Sequence, residues 1–159
     1  MRILIDSNAL VLLIIGLIDQ NLISKHKRTS IYRKKDFEQL LLVIDSLENL
    51  IILPNIWTEV DNLLNSLSGS YKYPYIQNFK KLVEQTTEEY LNTKLGSQSD
   101  YFMQVGLTDV LIIDLAKHCD FIITADSTLS DLAIANGITV YDLVQIRNKD
   151  LRNWPISPT

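Results

Sequence analysis

The chain reads as an α/β domain in three layers, α/β/α, around a short parallel sheet of about four strands, and three observations predict this. Aliphatic runs alternate with helical patterns along the whole sequence. Each run is apolar at consecutive rather than alternate positions, and neither a repeat nor a Pro/Gly/Ser-rich linker divides the chain. Alternating strands and helices imply right-handed crossovers onto a parallel sheet. Consecutive apolar positions mark strands that helices cover on both faces. With 159 residues, the chain suits a single domain with a proper core.

The expected strands are residues 2–6, 51–53, 121–124 and 139–141. The first helical pattern, residues 9–18 (ALVLLIIGLI), is apolar on every side. It falls short of the roughly 20 residues that cross a bilayer. Asp6 interrupts its approach and no small-residue cleavage site follows it, so it reads as a buried helix and not a signal peptide or span. No membrane partner is expected. Residues 36–47 form the next helix, with Asp36 as its N-cap. Residues 55–67 and 74–92 read as a helical arm that turns at 66–70. Thr108 caps a helix at 109–118, and Asn136-Gly137 stops the helix at 127–136. From about 151 onward, Pro155 and Pro158 predict an irregular tail that Trp154 pins to the body.

Composition excludes several functions. Hydrophobic residues make up 47% and charged residues 21%, and the net charge is −4. The whole molecule is therefore no polycation, and any contact with nucleic acid must come from a local patch. One such patch exists: residues 25–35 (KHKRTSIYRKK) hold Lys25, Lys27, Arg28, Arg33, Lys34 and Lys35, six of the 15 Lys and Arg residues. That segment suits RNA phosphates, with Tyr32 interleaved to stack a base, or else a solvated loop. The aromatic run at 71–75 reads as packing of the arm, as a substrate platform or as a contact between copies. One cysteine and two histidines rule out an internal disulfide and disfavour a structural zinc site. The cysteine count fits a reducing, cytoplasmic setting.

The informative feature is a set of four acids, each at an element boundary. Asp6 ends the first strand, Glu59 lies on the helix after Leu53-Pro54, Asp109 opens the helix in GLTDVLIIDLAK, and Asp126 ends the strand in FIITAD. Ligands of parallel α/β sheets collect outside the carboxyl ends of the strands. Carboxylates gathered there repel one another unless a counter-charge enters, and a hard divalent cation is the usual one. Each acid taken alone also has a plainer reading, as a helix cap for Asp6, a dipole partner for Asp109, the start of the turn before the Ser127 helix for Asp126 and a surface acid for Glu59. Ser7, Asn8, Thr108, Thr124 and Ser127 surround the set and suit orienting roles.

In this order the motifs resemble those of PIN-domain nucleases. Asp6-Ser7-Asn8 resembles the family's opening D-[ST]-N, Thr58-Glu59-Val60 its second acidic element, Gly106-Leu107-Thr108-Asp109 its third, and Thr124-Ala125-Asp126 its T-x-D. The resemblance implies a PIN-like fold and a Mg²⁺- or Mn²⁺-dependent endoribonuclease that leaves a 5′-phosphate and a 3′-hydroxyl. It makes Asp6, Glu59, Asp109 and Asp126 the catalytic, metal-binding quartet, RNA the substrate, and an antitoxin or a second copy the partner, as for VapC-type toxins. Stand-alone RNA processing or defence is the other role it implies. The chain departs from the pattern at Thr128, where many members carry a further acid; Asp131 and Asp114 are poor substitutes. A PIN-like module that binds RNA or protein without cutting is the alternative. A haloacid-dehalogenase-like phosphatase needs D-x-D after its first strand, and here the third residue of that motif is Asn8. A receiver needs paired acids there and a lysine after a late strand, and none follows Asp126 before Lys149.

Overall fold

The computed structural model describes residues 1–148; the expected tail and Trp154 lie outside them. Strand β1 (Ile3–Ile5) leads into helix α1 (Ser7–Ile18), and α2 (Lys34–Ile44) precedes β2 (Leu50–Ile52). Next come α3 (Pro54–Leu64), α4 (Lys72–Gln85), β3 (Thr87–Glu88) and the single turn α5 (Thr93–Gly96). The chain continues through α6 (Phe102–Ala116), β4 (Phe121–Thr124), α7 (Ser127–Ala135) and β5 (Val140–Asp142). The five strands form one parallel sheet in the order β3-β2-β1-β4-β5. Helices lie on both faces, giving the three-layer α/β/α fold; α1 packs against α2, α3 and α4, and α6 against α5 and α7.

The sheet has one strand more than the sequence suggested. Residues 74–92 do not form one helix: α4 stops at Gln85, and Thr87 and Glu88 pair with Ile51 and Ile52. Thr86 ends the helix, its hydroxyl donating to Leu82 O at 2.8 Å, and β-branched residues then favour extended backbone. Both residues of β3 are exposed, so no apolar run announces this edge strand. The expected arm is likewise no projection. α3 and α4 fold back on α1, and Phe79 packs edge-on against Trp57 and Tyr75 at 5.2 and 5.7 Å between ring centres. Tyr75 is thereby buried, with its hydroxyl on Asp61 Oδ1 at 2.6 Å.

The core is centred on β1 and α1. Ile3, Leu4 and Ile5 are fully buried, and so is almost every residue of α1 from Ala9 to Gly16. A helix that is apolar all round must be covered all round, and this one lies beneath three others. Gly16 permits that cover, because a Cβ built there would run into the ring of Phe37 on α2. Among the described residues no helix is long and apolar enough to cross a membrane.

The strand order decides where a ligand can enter. From β1 the chain steps outward through β2 to β3, then returns to the other side of β1 for β4 and β5. The reversal leaves a crevice at the carboxyl ends of β1 and β4, the topological switch point of the sheet.

Candidate active site at the sheet edge

Asp6 directly follows β1 at this crevice and Asp126 comes two residues after β4. Asp6 caps α1, as its position at a strand-to-helix junction allows, with Oδ1 accepting from Ala9 N at 2.7 Å. Its Oδ2 accepts from the Thr124 hydroxyl and, at 3.3 Å, from Ala125 N. Asp126 caps α7, with Oδ1 accepting from Thr128 N at 2.8 Å and Leu129 N at 3.1 Å. Thr124 joins the two acids: its oxygen donates to Asp6 and accepts from Asp126 N at 3.0 Å. Ligand and cap are compatible roles for each, since a carboxylate oxygen has two lone pairs.

Glu59 reaches the same edge from α3. Its Oε2 accepts from Ser7 Oγ at 2.7 Å, and Ser7 is the residue after Asp6. Asp109 arrives from α6, in the first turn of the second of two helical stretches, close to the helix start the sequence suggested. The helical run begins at Phe102 and breaks at Gly106, whose φ of +83° and ψ of 174° lie outside helical space. Glycine tolerates that conformation, and it re-aims the chain so that Asp109 lies in the first turn of the straight segment. Thr108 makes no side-chain cap there; it lines an open cleft.

The charges of the four acids act on one another. Burial raises the Asp109 carboxyl to about 7, with Asp126, Asp6 and Glu59 adding to the rise; every charge acting on it is negative. Asp6, 3% exposed, is raised to about 6 by burial, against the lowering effect of its three hydrogen-bond donors and with a further push from Asp126. Asp109 makes no hydrogen bond or ion pair among the described residues. Glu59 and Asp109 face each other across a cleft of about 710 Å³ between α3 and the kinked start of α6.

The donor set is of the kind a hard divalent cation takes: carboxylate oxygens that repel one another, with no basic residue among the described residues acting on Asp109. Among the described residues, no three acidic, histidine or cysteine side chains stand close enough together to hold an ion as placed. Asp6 and Asp126 are oriented by their caps, the exposed Glu59 side chain by Ser7, and the Asp109 carboxyl by no hydrogen bond among the described residues. Asn8 is exposed in the first turn of α1 and its side chain makes no hydrogen bond among the described residues, and Ser127 is exposed at the start of α7. Asp114 is taken up in a surface pair with Lys117 at 3.0 Å, and Asp131 is exposed.

Lys27, Arg28, Arg33, Lys34 and Lys35 are all exposed, with Lys34 Nζ on Asn21 Oδ1 at 2.7 Å. Tyr32 is not a stacking platform: it is 3% exposed and its ring belongs to the core. Burial raises its hydroxyl, and the charges of Asp6, Asp36 and Asp142 raise it further, so the basic segment passes beside the acid edge. Asp36 is not the N-cap of α2. Arg33 holds that position, and Asp36 Oδ2 accepts from Arg33 N at 2.8 Å.

Asp142 is an acid that sequence reasoning passed over. It ends β5 in register with Thr124, is 5% exposed, and its Oδ1 accepts from Val144 N and Gln145 N at 2.9 Å each. The only signal was an acid closing an apolar run, which the expected strand missed by stopping at Tyr141.

No protein-family model and no curated protein sequence matches this chain. Among solved structures, it is similar to a domain of a functionally unknown protein from Methanocaldococcus jannaschii DSM 2661, at 19% identity over 89% of each chain and a TM-score of 0.46.

Proposed function

We propose that the chain is a PIN-like, metal-dependent endoribonuclease that hydrolyses RNA phosphodiester bonds at the switch point between β1 and β4. One observation carries the reading: Asp109 feels Asp126, Asp6 and Glu59 together, so acids from four distant segments act on one another with no basic side chain among the described residues acting on Asp109. Such repulsion is unfavourable for folding, and a surface that only binds RNA gains nothing from it. A bound Mg²⁺ or Mn²⁺ supplies charge against the phosphate oxygens and a water of lowered pKa.

The chain's own groups supply the geometry. Thr124, Ala9 and Ala125 hold the Asp6 carboxylate, and Ser7 holds Glu59, so these two acids meet the substrate in fixed orientations. The exposed lysines and arginines of residues 27–35 attract phosphates flanking the cut. The resemblance adds the cellular alternatives, a toxin silenced by an antitoxin or a stand-alone processing or defence nuclease.

The test is cleavage of a generic single-stranded RNA with Mn²⁺, with Mg²⁺ and with EDTA. Cutting is expected with either metal and absent in EDTA, and the Asp6→Asn, Asp109→Asn double variant stays at background. Equal cutting in EDTA sinks the proposal. Metal-induced thermal stabilisation of wild type but not of the variant, with no cleavage, favours the non-cutting module instead.

A further inference from the structure

The cleft that Glu59 and Asp109 line also carries uncharged amides and apolar side chains. Among the described residues lining it none is a lysine, an arginine or a histidine, so none of them compensates a phosphate. Asn55 and Asn62 lie on one face of α3, two turns apart with Glu59 between them, and line the same cleft. Neither side chain has a hydrogen bond among the described residues, whereas Thr58 in the same row is satisfied by Pro54 O at 3.0 Å. The opposite wall is apolar at Val105 and Leu107, on either side of the Gly106 kink, and polar at Thr108 and Asp109, while Leu63 adds an apolar side chain from α3.

Free amides facing an apolar wall match an unpaired nucleobase. A carboxamide presents a donor and an acceptor side by side, which pairs with the edge of a base, and the apolar wall takes the face of the ring. RNA-binding proteins read sequence mostly from such splayed-out bases, because the grooves of an RNA duplex hide their edges. Two helical turns span roughly 10 Å, enough to separate the bases on either side of a phosphate lying at Glu59.

We infer that the α3–α6 cleft is a nucleobase subsite in which Asn55 and Asn62 read unpaired bases flanking the scissile phosphate, so that these two residues set sequence preference. The inference rests on the nuclease reading for the position of the cut, but base binding itself does not need catalysis. Charge separates the two halves of the substrate: phosphates lie towards residues 27–35, and bases enter the amide and apolar part of a cleft whose charged lining residues are both acidic.

The experiment is fluorescence anisotropy with labelled RNA hexamers of A, C or U and with an abasic hexamer of equal charge, at fixed salt and in Ca²⁺. Wild type is expected to bind one base at least about tenfold more tightly than the abasic strand, a typical value for one well-made amide–base pair. Asn55→Ala and Asn62→Ala each reduce that ratio, and the double variant abolishes it without changing the salt slope, because no phosphate contact is lost. Both positions are on a helix that alanine favours, and circular dichroism checks folding. Equal binding of abasic and base-bearing strands, or an undiminished ratio in the double variant, overturns the inference. So does displacement of RNA by a basic peptide whose binding needs Asn55 and Asn62, which assigns the cleft to a protein partner. Base preference without cleavage in Mn²⁺ leaves the subsite standing and removes the nuclease; cleavage without base preference does the reverse.

Discussion

Asp36 and Asp6 are buried almost equally, at 2% and 3% exposed, yet their surroundings differ in one decisive way. Asp36 meets the guanidinium of Arg147 through both oxygens, at 2.8 and 3.1 Å, and Arg147 also donates to Ile31 O at 3.0 Å. Asp6 meets only neutral donors, and the charge acting on it is that of Asp126. The first carboxylate is neutralised within the chain and ties the segment after β5 to the start of α2. The second is oriented but not neutralised. A buried acid left in that condition either holds a proton or, under the proposed reading, receives its counter-charge from a bound cation, and this contrast makes Asp6 a functional candidate where Asp36 is not.

Breaking the compensated pair gives the largest expected effect. Arg147→Met leaves Asp36 buried and unpaired, and stability should fall by about 3–5 kcal/mol, measured as a lowered midpoint in urea. A loss below about 1 kcal/mol erases the contrast between the two sites.

The pH dependence of the metal-free protein comes next. The carboxyls of Asp6 and Asp109 are raised in the folded state to about 6 and about 7, above their unfolded values near 3.8. The folded protein therefore holds protons that the unfolded chain has released. Their contribution is fully present below about pH 4 and is lost as pH rises through 6 for Asp6 and through 7 for Asp109. Thermal melts should show this loss, on the order of 2–3 kcal/mol from Asp6. A saturating divalent cation should flatten it, since metal favours the ionised form. A stability that rises over that range contradicts the assigned electrostatics.

The smallest effect has the opposite sign from the first. Asp109→Asn removes a repelled charge that has no hydrogen-bond partner, so the metal-free variant should gain roughly 1 kcal/mol at pH 8, a figure reduced for partial exposure to water. The same substitution should abolish metal-induced stabilisation. A destabilised Asp109→Asn protein places that acid with Asp36 instead.

Much of this was legible in the residues. Consecutive apolar runs located β1, β2, β4 and β5, because strands buried on both faces leave that mark. Asp6 and Asp126 stood out because each sits at a junction of strand and helix, and such ends are brought to the sheet edge by the crossover rule. Glu59, in the middle of α3, stood out instead through the motif around it. What was hidden depends on partners far along the chain. Thr87 and Glu88 are a strand only because β2 offers an unpaired edge. Tyr32 lies in a charged segment and is nevertheless buried, as the long-range ties of Asp36 to Arg147 close over it. The short helical stretch from Phe102 to the Gly106 kink was hidden, because Gly106, with its positive φ, reads from sequence as a plain stop before the Asp109 helix.

Thr124 has a consequence for cation choice under the proposed reading. A hydroxyl has one proton; here it goes to Asp6, so the same oxygen is left to receive the Asp126 amide. The starts of α1 and α7 are therefore clamped to a single core atom, and the gap between their acids is set before any ion arrives. An incoming ion must suit that gap and cannot adjust it, which makes ionic radius, together with charge, a criterion for admission.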